Sequence, residues 1–196
     1  MPHTLALLGV ADDNAYILGT AREWFQDNEA RLNDKWPLEL HDAIRVATRW
    51  VLTKAEYPAN DLDELDAFAL QNVGVDVGER AFFAVTSLEP LLLTGDRKCL
   101  NKIGDRAARA NNPRLEAIHS RWKGRVVWFE AVLARLLIDS PSLGRTHVWP
   151  ACPCDGALQN AFSQGVNTPP IEVRNYFRQR VESVQKHTEG LLMDLI

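Results

Sequence analysis

The sequence predicts an α/β fold in which a small parallel sheet is flanked by helices, followed by a mainly helical C-terminal extension. Three observations carry that prediction. Two short apolar runs, Leu5 to Ala11 and Leu91 to Thr94, have the length and composition of buried strands. The segments around them place apolar residues at helical spacing, and strands alternating with helices favour layers built on a parallel sheet. Beyond residue 110 the pattern is helical almost throughout. The expected division is an α/β core over residues 1–110 and a helical part over 111–196 that packs on the core or extends it.

The elements follow in order. The first apolar run is broken only by Gly9. Asp12 or Asp13 then suits the N-cap of a helix carrying Ile17, Leu18, Ala21, Trp24 and Phe25. A second helix begins near Trp36-Pro37, buries Leu40, Ile44, Ala47 and Val51, and stops at Tyr57-Pro58. Asp61 and Glu64 resemble a capping box for a third helix with Leu62, Leu65 and Phe68 on its stripe. After Gly74 come a helix from about Glu79 to Leu88, the strand Leu91 to Thr94, and a helix holding Leu100 and Ile103. The polar stretch Asp105 to Asn112 reads as a junction. The run RVVWFEAVLARLLID predicts a strong helix, and Pro141 to about Gly156 a loop. The last helix, EVRNYFRQRVESVQKH, sets Val173, Phe177, Val181 and Val184 on one face.

Composition bounds the functional classes. Of 196 residues, 46% are hydrophobic and 24% charged, which suits a globular chain that needs no disulfide or structural metal to fold. The opening MPHTLALLGVADDN lacks a basic n-region and does not read as a signal peptide. No apolar stretch approaches the roughly 20 residues of a membrane span, so no membrane partner is expected. Three cysteines (Cys99, Cys152 and Cys154) without a secretion signal point to a reducing cytoplasm. The net charge of −4 hides an asymmetry: residues 1–104 hold 10 Lys and Arg against 17 Asp and Glu, and residues 105–196 hold 12 against 9. An acidic half beside a basic half suits a metal site next to a phosphate-contacting surface, although solvated faces produce the same numbers.

The stretch VDVGERAFFAVTSLEPLLLTGDRKCL, residues 75–100, puts an acid at each end of an out-and-back excursion. A ten-residue helix from Glu79 travels about 15 Å. A five-residue strand returns roughly 16 Å. Asp96 should therefore lie beside Glu79, at the strand carboxyl edge where open α/β sheets bind ligands. Two adjacent carboxylates repel unless a proton or a cation intervenes, and a hard divalent cation prefers such oxygens. Taken singly, Glu79 also reads as a complement to the helix dipole and Asp96 as a helix cap.

These residues, GERAFFAV and LLLTGDRKCL, resemble the second acidic half of a PIN domain, an RNase-H-like nuclease fold common in bacterial toxins. The resemblance covers about 25 residues. It implies a three-layer PIN-like sheet and a cluster of three or four acids holding Mg²⁺ or Mn²⁺ for RNA cleavage. It further implies an acid at the end of the first strand, a slot matched by Asp12 in Asp12-Asp13-Asn14, with Asp13 as the alternative. For an acid on a preceding helix the choice is Glu56, with Asp42 second. The expected catalytic set is then Asp12, Glu56, Glu79 and Asp96, with Asp12, Glu79 and Asp96 as metal ligands. RNA is the expected substrate, and an antitoxin or other protein partner and a homodimer stay open. The alternative function is a degenerate PIN-like protein that serves as an RNA-binding or interaction scaffold.

Other residues carry less. Glu130 shares an apolar helix face and needs a cation, for which Arg125 is near in sequence. His147, Cys152, Cys154 and Asp155 have part of a zinc-ligand spacing, and also fit a rigid proline loop. Arg106, Arg109, Arg114, Arg121, Lys123 and Arg125 surround Trp122, a composition that can hold single-stranded RNA or simply face solvent. No phosphate-cradling glycine loop and no nucleophile elbow is present in the sequence.

Overall fold

Two parallel strand pairs organise the described part of the chain. The computed structural model describes residues 11–17, 22–23, 26, 41–57, 62–86, 91–140, 142 and 156–195. The expected strand residues Leu5 to Val10, the helix residues Leu18, Ala21, Trp24 and Phe25, the Trp36-Pro37 start, Leu40, Asp61 and the His147–Asp155 motif lie outside them.

Strand β1 (Tyr16–Ile17) pairs in parallel with β2 (Ala55–Glu56), and helix α1 (His41–Leu52) precedes β2. Ile17, expected on a helix, is therefore a strand residue, buried as its β-branched side chain favours. On α1, among the side chains described, Thr48 is buried, Ala47 exposed and Val51 half-buried, so Ala47 departs from the expected stripe, and the side chain of Ile44 lies outside the described residues. Tyr57 follows β2, meets Tyr16 edge to face at 6.0 Å, and packs on the main core.

Helix α2 (Glu64–Asn72) is capped by Asp63, whose Oδ1 accepts from Leu65 N at 2.8 Å and Asp66 N at 3.0 Å. The expected inner face is turned outward here too. Leu65 and Phe68 are exposed, and Asp66, Ala69 and Leu70 are buried. The cause is tertiary: Arg114 and Arg121 reach Asp66 at 3.1 and 2.8 Å and hold it inside. Helix α3 (Val77–Phe83) starts earlier and ends earlier than expected, because the chain turns at Ala84 and Val85 bridges back to Leu62.

Strand β3 (Leu92–Thr94) leads through Asp96 into α4 (Arg97–Gly104). The expected polar junction contains a short helix instead, α5 (Arg106–Ala110), because Asp105 caps Ala107 N and Ala108 N. Helix α6 (Pro113–Trp122) follows, with Asn112 as its cap and Pro113 at the first position, where a missing N–H costs nothing.

Strand β4 (Val126–Trp128) overturns the start of the strong helix expected from RVVWFEAVLARLLID; only Phe129–Asp139, α7, is helical. Two β-branched residues and an aromatic favour a strand here, and a continuous apolar run has no period to reveal it. Leu92, Leu93 and Thr94 pair in parallel with Val126, Val127 and Trp128, and Leu192 bridges Val126. Helices α8 (Gly156–Ala161) and α9 (Pro170–His187) complete the chain. The four expected core residues of α9, Val173, Phe177, Val181 and Val184, are all buried, each contributing roughly 1.5–3 kcal/mol.

One buried cluster runs from Ala69 on α2 through Phe83, Leu92, Leu100, Ile118 and Val126 to Leu192, so it draws on both sides of residue 110. A second joins α7, α8 and α9 around Leu137, Phe162 and Phe177. Among the described residues no helix is long and apolar enough to cross a membrane.

The C-terminal turn is held by charge. Arg109, buried, donates to Glu116 at 2.6 Å and to Glu189. Burial opposes the Arg109 charge, and Glu189 and Glu116 more than offset that, raising its pKa. The Arg109 hydrogen bond holds the Glu189 carboxyl below its ordinary value of 4.5. A depressed carboxyl stabilises the fold above its unfolded pKa and loses that contribution as pH falls through the folded value. Thermal midpoints between pH 6 and 3 should therefore fall less steeply in Glu189→Gln than in wild type. Equal slopes would show that this contact carries no acid sensitivity.

Candidate metal centre

The Glu79–Asp96 pair predicted from leg lengths is part of a group of three. Oxygens of Asp76, Glu79 and Asp96 all lie within 4.8 Å of one another. Two segments deliver them. Asp76 stands at the N-cap of α3, Glu79 lies in that helix's first turn, and Asp96 closes the loop after β3.

The two cap positions behave differently. Asp96 Oδ1 accepts from Lys98 N at 2.7 Å and from Cys99 N at 3.1 Å, and Thr94 Oγ1 fixes Asp96 N at 3.0 Å. The cap uses one oxygen, which leaves Oδ2 for a ligand. Asp76 makes no side-chain cap bond at all, unlike Asp63, Asp96, Asp105 and Asn112. Its carboxylate stands with Glu79 and Asp96 instead.

Among the described residues, no Lys, Arg or His forms an ion pair with any of the three. That sets them apart from Asp12, Asp66, Glu116, Glu130 and Glu189, each of which has a cation. Their field reaches Cys99 in the first turn of α4. Burial raises the Cys99 thiol pKa, Glu79 and Asp96 add to the rise, Lys102 opposes it, and Asp76 adds again. Carboxylates this close repel one another, and a bound cation would relieve that repulsion. The donor set is all oxygen and partly exposed, which fits Mg²⁺ or Mn²⁺ bound through carboxylates and water.

The other expected acids sit elsewhere. Asp12, in a 3-10 turn before β1, pairs with buried Lys54 and accepts from Trp50 Nε1 at 2.8 Å. The Lys54 hydrogen bond holds its carboxyl below the ordinary value. Glu56, on β2, pairs with Arg22 at 3.1 Å, and Asp42 pairs with Arg45 at 2.9 Å. Neither Asp12 nor Glu56 belongs to the group that converges within 4.8 Å. Asp76 was not anticipated. The signal was present, because Asp76 and Glu79 stand three apart across a helix start, a spacing that shares one face.

Half of the six cations in the basic stretch after residue 105 are committed internally. Arg109 serves Glu116 and Glu189, Arg114 serves Asp66 and Asp63, and Arg121 serves Asp66 and Val85 O. Trp122, which could have stacked on a base, is buried and donates to Phe83 O at 2.9 Å. Glu130 finds Arg180 rather than Arg125, and that hydrogen bond raises the Arg180 pKa. Exposed cations remain beside the acids, at Arg97 and Lys98 in the first turn of α4.

No family model matches this chain, and no curated protein or solved structure matches it at a significant level. The reading of the site therefore stands on its own geometry.

Proposed function

We propose that this chain is a Mg²⁺- or Mn²⁺-dependent endoribonuclease of PIN-like type, acting on single-stranded or structured RNA. The observation that supports it is the convergence of Asp76, Glu79 and Asp96 within 4.8 Å, with no cationic side chain among the described residues in an ion pair with them. Their place after a parallel strand is where α/β folds bind ligands. A divalent cation bound there supplies a lower water pKa and neutralises charge on the phosphoryl oxygens.

The chain's own groups do the rest. Asp96 offers Oδ2 while its cap locks the carboxylate orientation, and Asp76 and Glu79 complete an open face of ligands. A carboxylate oxygen not engaged by the cation accepts the proton of the attacking water. Arg97 and Lys98 gain nothing from the dipole at a helix N-terminus, and they suit contacts to flanking phosphates.

The second reading is a PIN-like scaffold that holds RNA or a protein partner without cutting. One observation favours it: Asp12 and Glu56 are tied up by Lys54 and Arg22, so the group has three acids and not four. A cleavage assay separates the two. With Mg²⁺ or Mn²⁺, single-stranded RNA should be cut by wild type, spared under excess chelator, and spared by Asp96→Asn, which keeps the cap and removes the charge. RNA bound but left intact with either metal would favour the scaffold.

A further inference from the structure

The acids of the cluster come from two segments that must be held at a set separation. Asp76 and Glu79 follow the turn at residues 73–75, and Asp96 opens α4. Carboxylate repulsion pushes these segments apart whenever no cation is bound. Something must oppose it.

Lys102, on the last turn of α4, reaches across and donates to Gly74 O. Gly74 has φ +76, and its turn is closed by Gly74 N to Gln71 O at 2.8 Å and Val75 N to Leu70 O at 3.0 Å. A Cβ at Gly74 would meet Lys102 Nζ at 3.4 Å, so the two residues are in close contact. The bond therefore joins the segment that bears Asp76 to the helix that Asp96 caps. Among the described residues Lys102 makes no ion pair with any of the three acids, and its ammonium donates to the Gly74 carbonyl instead.

We infer that Lys102 is a positioning residue, tying the Gly74 turn to α4 so that Asp76, Glu79 and Asp96 stay at cation-binding separation. This rests on the cation reading of the cluster. The sign of the expected effect is diagnostic. Deleting a positive charge near an anionic site raises cation affinity by electrostatics alone. Deleting a positioning tie lowers it, by about tenfold where the tie holds the ligand-bearing segments together.

The experiment is a Mn²⁺ titration of the full chain, read from the electron paramagnetic resonance signal of free Mn²⁺. Lys102→Met should bind Mn²⁺ at least about tenfold more weakly than wild type. Lys102→Gln, which keeps an N–H donor for Gly74 O but carries no charge, should bind several-fold better than Lys102→Met. Circular dichroism and the metal-free melting temperature confirm that each variant is folded. Folded Lys102→Met with affinity equal to or above wild type would overturn the inference and leave the cluster reading intact. Wild type that binds no Mn²⁺ would overturn both.

Discussion

Arg121→Ala should destabilise the protein by about 3 kcal/mol, an effect large enough to see in any denaturation experiment. Asp66 is only 2% exposed, and its two oxygens are divided between Arg121 at 2.8 Å and Arg114 at 3.1 Å. Removing one partner leaves a buried carboxylate oxygen unpaired, and breaking a buried pair in that way typically costs about 3–5 kcal/mol. Arg114 remains, so the lower end applies. Arg121 also donates to Val85 O at 3.1 Å, at the end of the segment that returns from α3, and that carbonyl loses its donor as well. For a chain of this size, about 3 kcal/mol corresponds to a fall in melting temperature of roughly 6–12 °C. Arg106→Ala, on an exposed position of the same basic stretch, should stay within about 0.5 kcal/mol of wild type. Similar losses from the two substitutions would mean that the Asp66 network carries no special weight.

Local pattern was enough for some elements. The stripe Val173, Phe177, Val181 and Val184 repeats at helical spacing with polar residues between, and all four are buried. Leu92–Thr94 ends at a Gly-Asp pair, and Asp96 caps the next helix as its position suggested. Glu79 and Asp96 meet as the cancelling legs suggested, although both legs are shorter than expected, Val77–Phe83 and Leu92–Thr94.

Elements decided by distant partners were not legible. The inner face of α2 depends on Arg114 and Arg121, which lie 48 and 55 residues beyond Asp66. Without them, Leu65 and Phe68 look like core and Asp66 like surface. Strand β4 is hidden because the apolar run VVWF leads straight into the helical pattern of EAVLARLLID, and its pairing with β3 spans three intervening helices. Asp76 escaped notice because an Asp before a helix reads as a cap, and only the fold reveals that this one leaves the cap unfilled. The basic stretch misled for a related reason. Charges that seem available for phosphate are matched by acids from other parts of the chain.

The central claim, that Asp76, Glu79 and Asp96 hold a divalent cation, is tested most directly by the Mn²⁺-induced change in melting temperature. A cation that binds only the folded state adds about 2.7 kcal/mol at 100 times its dissociation constant, or roughly 5–10 °C for a chain of this size. In Asp76→Asn/Asp96→Asn two of the three charges are gone, yet asparagine still caps α4, so the fold is kept. Without metal this variant should melt no lower than wild type, because two mutually repelling charges have been removed. With Mn²⁺ the wild-type midpoint should rise by several degrees and the variant midpoint should stay where it was. Equal rises in both proteins, or no rise in wild type, would contradict the claim.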